Sequence, residues 1–450
     1  MSLPLPLLQS LTNIAGFDRK AFEELHVTGE QVTSVRLNPL KLMDHTPWTM
    51  SGIPWCPYGH YLSARPSFTL DPFFHAGAYY VQEASSMFLW HALTACTGTD
   101  TRKKVLDLCA APGGKSTLLS SYFRDGLVVA NEVIKSRAAV LVENITKWGS
   151  DQVIITNNDP SHFQSLAGYF DLMVIDAPCS GSGLFRKDPD AIHEWSIDNV
   201  QHCSQRQQRI LADVLPALKE NGILIYSTCY YSVEEDETIA DWLVKEMGMQ
   251  SRQLNIHPEW GIVETRSPRQ QAFGYRFYPN RLKVERFFMA VFQKIAAIGE
   301  CRLKEQSLTQ ITKQENSLIH SFMPIPDSHC LFKQSGSIRA FPKDWLTDLQ
   351  IMANCLYIKK AGIELGAIKG KDVIPGHELA LSLLPKEWFQ SISLTEEQAL
   401  LYLRRKETGM DDVSQGWNLV NYRGLPLGWV KVLPNRVNNY YPAGWRILKE

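Results

Sequence analysis

The chain has 450 residues, 44% of them hydrophobic and 21% charged, which is the balance of a folded protein of two or three domains and excludes a disordered or fibrous one. No apolar run approaches the roughly 18 residues of a membrane span, so a membrane partner is not expected. A net charge of −1 excludes an overall polycation, so any binding of nucleic acid has to come from local basic patches.

Nine cysteines, an odd number and scattered, show no pair at zinc-ligand spacing. They point to reduced thiols, no metal and a cytoplasmic protein. The opening Met1-Ser2-Leu3-Pro4-Leu5-Pro6 has no basic stretch and two prolines, so no secretory leader is expected.

In chain order, residues 1 to about 35 predict short helices, with Lys20, Glu23, Glu24 and Glu30 among apolar residues at three- and four-residue spacing. Val32 to Asn38 alternates like a strand and stops at Pro39. Residues 44–68, rich in Pro, Gly and aromatics, predict irregular chain or short strands, and Gly77 to Met87 leads into a helix. From residue 105 strands and helices alternate. Strands are expected at Val105–Leu108, Leu127–Asn131, Val153–Thr156, Leu172–Ile175, Ile223–Tyr226 and Phe287–Phe292, with helices over 136–148, 198–218 and 234–245. That alternation predicts an α/β fold, a Rossmann-like doubly wound sheet that is mostly parallel. Residues 295–330 turn polar and proline-containing, as a linker would. The tail from 331 reads as an α+β module ending in hairpins between Trp417 and Ile447.

Val105-Leu106-Asp107-Leu108-Cys109-Ala110-Ala111-Pro112-Gly113-Gly114-Lys115-Ser116 is a strand, a glycine turn and a helix start. A doubly wound sheet holds a cofactor at such a turn, because glycine lets the backbone come close to the ligand. Gly114-Lys115-Ser116 ends like a nucleoside-triphosphate loop, but that loop needs a glycine where Cys109 stands. Glu132, Asp159 and Asp176 each close a strand on the same sheet edge. There a carboxylate accepts hydrogen bonds from ribose hydroxyls or an adenine amine, or simply caps a helix. Asp176-Ala177-Pro178-Cys179-Ser180-Gly181-Ser182-Gly183 and Ser227-Thr228-Cys229-Tyr230 put one cysteine just past each of two strand ends. Burial as a small hydrophobe explains Cys96 or Cys355 well and explains this pair poorly.

Together these segments resemble the Nop/Sun family of S-adenosylmethionine-dependent RNA cytosine-5 methyltransferases, over about residues 30–294. The resemblance implies S-adenosyl-L-methionine bound by Cys109, Ala110, Ala111, Pro112, Gly113, Gly114, Lys115, Glu132, Asp159 and Asp176. It also supplies a reason for a thiol. Carbon-5 of cytosine is a poor nucleophile until a thiolate adds to carbon-6, so covalent catalysis by cysteine is expected. Spacing does not say which cysteine attacks. In the resembled enzymes the Thr-Cys cysteine is the nucleophile, which implies Cys229 here, with Cys179 assisting release and Asp176 hydrogen-bonding the base. The same resemblance implies a small N-terminal RNA-binding region, in which Arg36 and Asn38 match an Arg-x-Asn stretch.

The tail is similar to the PUA-like end of a bacterial group of small-subunit ribosomal RNA methylases. The expected boundaries are 1–75 for the RNA-binding region, 76–294 for the methyltransferase domain, 295–330 for the linker and 331–450 for the PUA-like module. The implied partner is RNA: 16S ribosomal RNA or the assembled 30S subunit, with transfer RNA the runner-up and a non-catalytic ribosome-assembly factor the rival of another class. Tyr422, Arg423, Trp429, Lys431, Arg436, Tyr440, Tyr441 and Trp445 interleave bases with rings, as an RNA grip would.

Overall fold

The computed structural model describes residues 3–28, 31–180, 192, 195–296, 303–410 and 413–449. Its centre is a ten-stranded sheet. The first half comprises β1 (Lys104–Asp107), β2 (Leu127–Asn131), β3 (Val153–Thr156), β4 (Phe170–Asp176) and β5 (Leu218–Thr228). The second half adds β6 (Met249–Arg252), β7 (Val263–Arg266), β8 (Phe273–Phe277), β9 (Phe287–Lys294) and β10 (Ile358–Ala361). The order is β7-β8-β9-β5-β4-β1-β2-β3-β10, with β6 also paired to β9. β1 to β5 are mutually parallel, and β9 runs antiparallel beside β5.

Every residue of β2 and β3 is buried, the unbroken apolar pattern of parallel strands covered on both faces. The covering helices include α1 (Gly114–Tyr122), α2 (Lys135–Trp148), α3 (Ile197–Val214) and α4 (Glu237–Lys245). Ser196 caps α3 by accepting from the Asn199 N–H, and Gly149, at φ +93°, closes α2 in the left-handed region. The direction of winding reverses between β1 and β4, and an open sheet binds its ligands at the carboxyl ends of the strands there.

Two features of the sheet lie outside the sequence expectations. The stretch 249–277 forms β6 to β8, although its strands are short and polar on one side. β10 comes from the C-terminal region and pairs antiparallel with β3, so an edge of the sheet is covered by a strand from the tail.

A four-stranded antiparallel sheet, Met50–Ile53, Cys56–Leu62, Ser34–Leu37 and Tyr79–Val81, stands before the central domain. It is tied down by buried polar groups. Arg36 Nε donates to Gln82 Oε1 at 2.8 Å, and its Nη2 donates to Thr117 Oγ1 at 2.6 Å and to Gly114 O at 3.2 Å. Asn38 Nδ2 donates to the carbonyls of Gly77 and Trp148. Gly77 has φ +73°, and a Cβ there would stand 1.8 Å from Lys147 O, so only glycine lets these two chains touch. Arg36 and Asn38 are thus fully covered clamps onto α1 and α2, and their polarity does not face an RNA.

The tail holds two further four-stranded sheets, His329–Gln334 to Asp372–Pro375 and Gln390–Leu394 to Arg436–Asn439. Within the stretch expected as linker, Lys313–Phe322 is a helix. Thr312 and Glu315 form a capping box, and Ile319 packs beside Ile338 and Leu365. Its polar composition is that of one solvated helix face.

Candidate active site

Cys179 Sγ and Cys229 Sγ lie 3.1 Å apart, brought together because β4 and β5 are neighbours in the sheet though the residues are 50 apart in sequence. The Cys229 thiol is lowered from its ordinary value. The hydrogen bond with Cys179 contributes most, the Lys115 ammonium contributes less, and burial and the Asp176 carboxylate oppose them. Lys115 Nζ sits 2.7 Å from Asp176 Oδ2, and Ser227 Oγ donates to Asp176 Oδ1 at 2.8 Å. Motif turn, Pro-Cys loop and Thr-Cys loop therefore form one constellation. Gly181, Ser182 and Gly183 lie outside the described residues.

Cys109, Ala110, Ala111, Pro112, Gly114, Lys115 and Asp176 line a cavity of about 190 Å³. Tyr80, Val81, Gln82, Glu83 and Ser86 line it too, a stretch that reads in sequence only as the lead-in to a helix. Gly113 takes φ +117°, and helix α1 begins there without a side-chain cap, leaving its first N–H groups open to a ligand. Burial and the carboxylates of Asp107, Asp176 and Glu132 push the Cys109 thiol upward, away from the thiolate form, opposite to Cys229. Asp107 is fully buried, accepts from Ser116 Oγ at 2.6 Å, and is pushed up to about 7, chiefly by burial.

Glu132 is 2% exposed; its Oε1 accepts from the Ile134 N–H at 2.9 Å, and Oε2 lies 3.4 Å from Arg137 Nη1. Neither Glu132 Oε2 nor Asp107 Oδ1 has a hydrogen-bond partner among the described residues. Asp107 Oδ1 has no partner among them and Glu132 Oε2 has only the Arg137 ion pair, so both leave room for a further donor such as a ligand hydroxyl. Asp159 caps the turn Pro160–Leu166 through Ser161 N–H at 3.1 Å and Ser161 Oγ at 2.7 Å, which hold its carboxyl below the usual range. It stands half-buried at the end of β3, joined to β2 through Asn158, whose N–H donates to Asn131 Oδ1. The glycine turn, the uncapped helix start and the orphan oxygens fit a nucleoside cofactor. Among the described residues no group of three His, Cys, Asp or Glu side chains could hold a metal, and no helix is long and apolar enough to cross a membrane.

Behind the cysteines is a buried charged cluster that sequence reading misses. Glu235, Asp236 and Glu237 are at most 4% exposed, and Arg276 and Arg286 are covered with them. Arg276 pairs with both Glu237 and Asp236, and Arg286 Nη2 reaches Asp236 Oδ2 at 3.0 Å. An acidic run before a helix reads in sequence as a solvated helix start.

In the tail, Trp429, Tyr441 and Tyr422 are core residues, which corrects the expectation that they stack on RNA. A small β module spends its large rings on its own interior. Arg423 lies 3.6 Å from Asp44, and Lys431 4.0 Å from Asp372. Arg436 and Tyr440 are exposed on a groove with Arg405 and Lys406.

Residues 96–293 match the family model 16S rRNA methyltransferase RsmB/F, residues 3–84 the N-terminal domain of 16S rRNA methyltransferase RsmF, and residues 389–447 the methyltransferase RsmF PUA domain. The ribosomal RNA small subunit methyltransferase F of Aliivibrio salmonicida is 29% identical over 434 residues, 91% of this chain and 90% of that one. The protein of the same name from Citrobacter koseri is 28% identical over 443 residues, 91% and 89% of the two chains. Among solved structures, a methyltransferase homolog protein from Pyrococcus horikoshii superposes with TM-score 0.52 at 27% identity, covering 65% of this chain and all of that one. NSun6 from Pyrococcus horikoshii, solved with SFG, gives 0.54 at 18% identity over 65% and 98%, a likeness of fold.

Proposed function

The chain belongs to the 16S rRNA methyltransferase RsmB/F family and is an S-adenosylmethionine-dependent RNA (cytosine-5-)-methyltransferase; from that premise we propose that Cys229 is its nucleophile, that Cys179 assists release, and that its substrate is 16S ribosomal RNA in the assembled 30S subunit, in the cytoplasm. The observation that carries the reading is the thiol pair 3.1 Å apart beside Lys115 and Asp176.

The cofactor, when bound, supplies a methyl group on a positively charged sulfur. Gly113, Gly114 and the start of α1 hold its polar end, Glu132 takes the ribose hydroxyls and Asp159 the adenine amine. Cys229, its thiol acidified by Cys179 and Lys115, adds as a thiolate to carbon-6 of the target cytosine. The carbon-5–carbon-6 double bond opens, and its electrons make carbon-5 nucleophilic. Asp176 accepts a hydrogen bond from the exocyclic amine, and from the ring nitrogen once that nitrogen carries a proton, which holds the base in place for the addition. With carbon-5 bonded to the methyl that the cofactor would give up, leaving as S-adenosylhomocysteine, loss of the carbon-5 proton to a base re-forms the double bond and breaks the Cys229–carbon-6 bond. Cys179, within hydrogen-bond reach of the departing sulfur, protonates or orients it.

Bisulfite sequencing of ribosomal and transfer RNA from a strain lacking this gene tests the substrate. A cytosine in 16S RNA that becomes unmethylated, and is restored by the gene, is the expected result. A change confined to transfer RNA overturns the ribosomal assignment.

A further inference from the structure

We propose that Glu235 and Asp236, adjacent in sequence, are a positioning pair that sets the spacing of the two thiols, Glu235 by holding the Cys179 loop and Asp236 by holding the Cys229 loop. Glu235 accepts from Ser180 Oγ at 2.5 Å and from the Ser180 N–H at 3.2 Å. Gln207 Nε2 donates both to Glu235 Oε2 at 2.9 Å and to Pro178 O at 3.1 Å. Both chain neighbours of Cys179 are therefore fastened to the same buried carboxylate and amide. Tyr226 OH, from β5, fixes that amide through Gln207 Oε1 at 3.0 Å. On the other side, Thr228 Oγ1 donates to Asp236 Oδ1 at 2.5 Å, fastening the residue before Cys229. Asp236 Oδ2 is in turn fixed by Arg286 at 3.0 Å and Arg276 at 3.1 Å.

One peptide unit thus joins the anchors of two loops that come from different strands. The Sγ–Sγ approach is the largest influence lowering the Cys229 thiol, and a hydrogen bond between thiols loosens steeply when one loop drifts. Neither acid touches the cavity lined by the cofactor turn, so both act through Ser180, Thr228 and the cysteines beside them. Buried hydrogen bonds on both sides of the pair hold such geometry, although Arg286 Nε and Nη1 have no hydrogen-bond partner among the described residues.

The inference rests on the assignment of Cys229 as nucleophile. Its test uses the full-length protein with 30S subunits from a strain lacking the gene, and the variants Glu235→Ala, Glu235→Gln, Asp236→Asn and Thr228→Val. Three quantities are read: affinity for S-adenosylhomocysteine, single-turnover methyl transfer from pH 5.5 to 9.5, and the rate of Cys229 alkylation by iodoacetamide over that pH range. Cofactor affinity stays at the wild-type value. Glu235→Ala and Thr228→Val lower the single-turnover rate on the order of ten- to a hundredfold and move the midpoint of Cys229 alkylation to higher pH. Glu235→Gln, which still accepts from Ser180, recovers most of the rate. Asp236→Asn behaves like Thr228→Val if it folds; if the two arginines are left unbalanced and it does not, Thr228→Val decides. Wild-type alkylation midpoints and rates in folded Glu235→Ala and Thr228→Val overturn the positioning role. Full activity in Cys229→Ala overturns the nucleophile assignment instead, so the two failures are distinct.

Discussion

Asn158 and Tyr357 bond to each other twice: the Tyr357 N–H donates to Asn158 Oδ1 at 2.9 Å, and Asn158 Nδ2 donates to Tyr357 O at 3.1 Å. Asn158 lies two residues past the end of β3, beside Asp159, and Tyr357 immediately precedes β10, so the tail is docked one residue from a proposed cofactor ligand. Asn158→Ala removes both bonds; Tyr357 O keeps the Asn157 N–H at 3.2 Å, while the Tyr357 N–H loses the Asn158 side chain. The substitution should cost roughly 1–3 kcal/mol of stability and also weaken S-adenosylhomocysteine binding. Denaturant unfolding and calorimetry check it; unchanged cofactor affinity would separate tail docking from the cofactor edge.

Cys229→Ala should abolish methylation with cofactor affinity nearly intact. Cys179→Ala should accumulate a covalent RNA adduct, seen as a slow band on a denaturing gel, because addition proceeds and release stalls. A trapped band from Cys229→Ala in place of Cys179→Ala would reverse the two roles.

Glu132→Ala and Asp159→Ala should each weaken S-adenosylhomocysteine by about five- to a hundredfold, the equivalent of about 1–3 kcal/mol. Glu132, 2% exposed where Asp159 is half-buried, should show the larger loss. Calorimetry on both variants decides; wild-type affinity in both would remove them from the site.

Asp107 is pushed from 3.8 up to about 7 by burial, so the folded protein keeps its proton where the unfolded chain has lost it. Its contribution to stability is therefore full below about pH 4 and lost as pH rises to about 7, a change of about 4 kcal/mol. Asp107→Asn, neutral at every pH, should lack that slope while keeping an acceptor for Ser116. Urea unfolding of both proteins at several pH values tests this, and parallel stability curves would contradict it.

Arg436 and Lys406 flank the groove of the last sheet and face solvent. Replacing both by alanine should weaken RNA binding across sequences. The salt slope should fall by roughly 0.7–0.9 for each phosphate no longer neutralised. Arg423→Ala should do less, since Arg423 already faces Asp44. Binding across a salt series is the measurement, and an unchanged slope would put the RNA elsewhere.

The cofactor sheet is legible in the chain because its signals are local. A buried parallel strand is an apolar run, a glycine turn is a tripeptide, and each cysteine carries its own neighbours, as Val153–Thr156, Pro112-Gly113-Gly114 and Thr228-Cys229 show. What tertiary structure alone decided is which polar residues are buried and whom they meet. Arg276 finds Glu237 across 39 residues, Arg36 finds Thr117 across 81, and β10 reaches β3 from the far end of the chain. A charged side chain looks the same in sequence whether water or a distant partner satisfies it. The energy of burying it depends on that partner, so the acids behind the cysteines and the clamp on α1 become visible only when the chain has closed on itself.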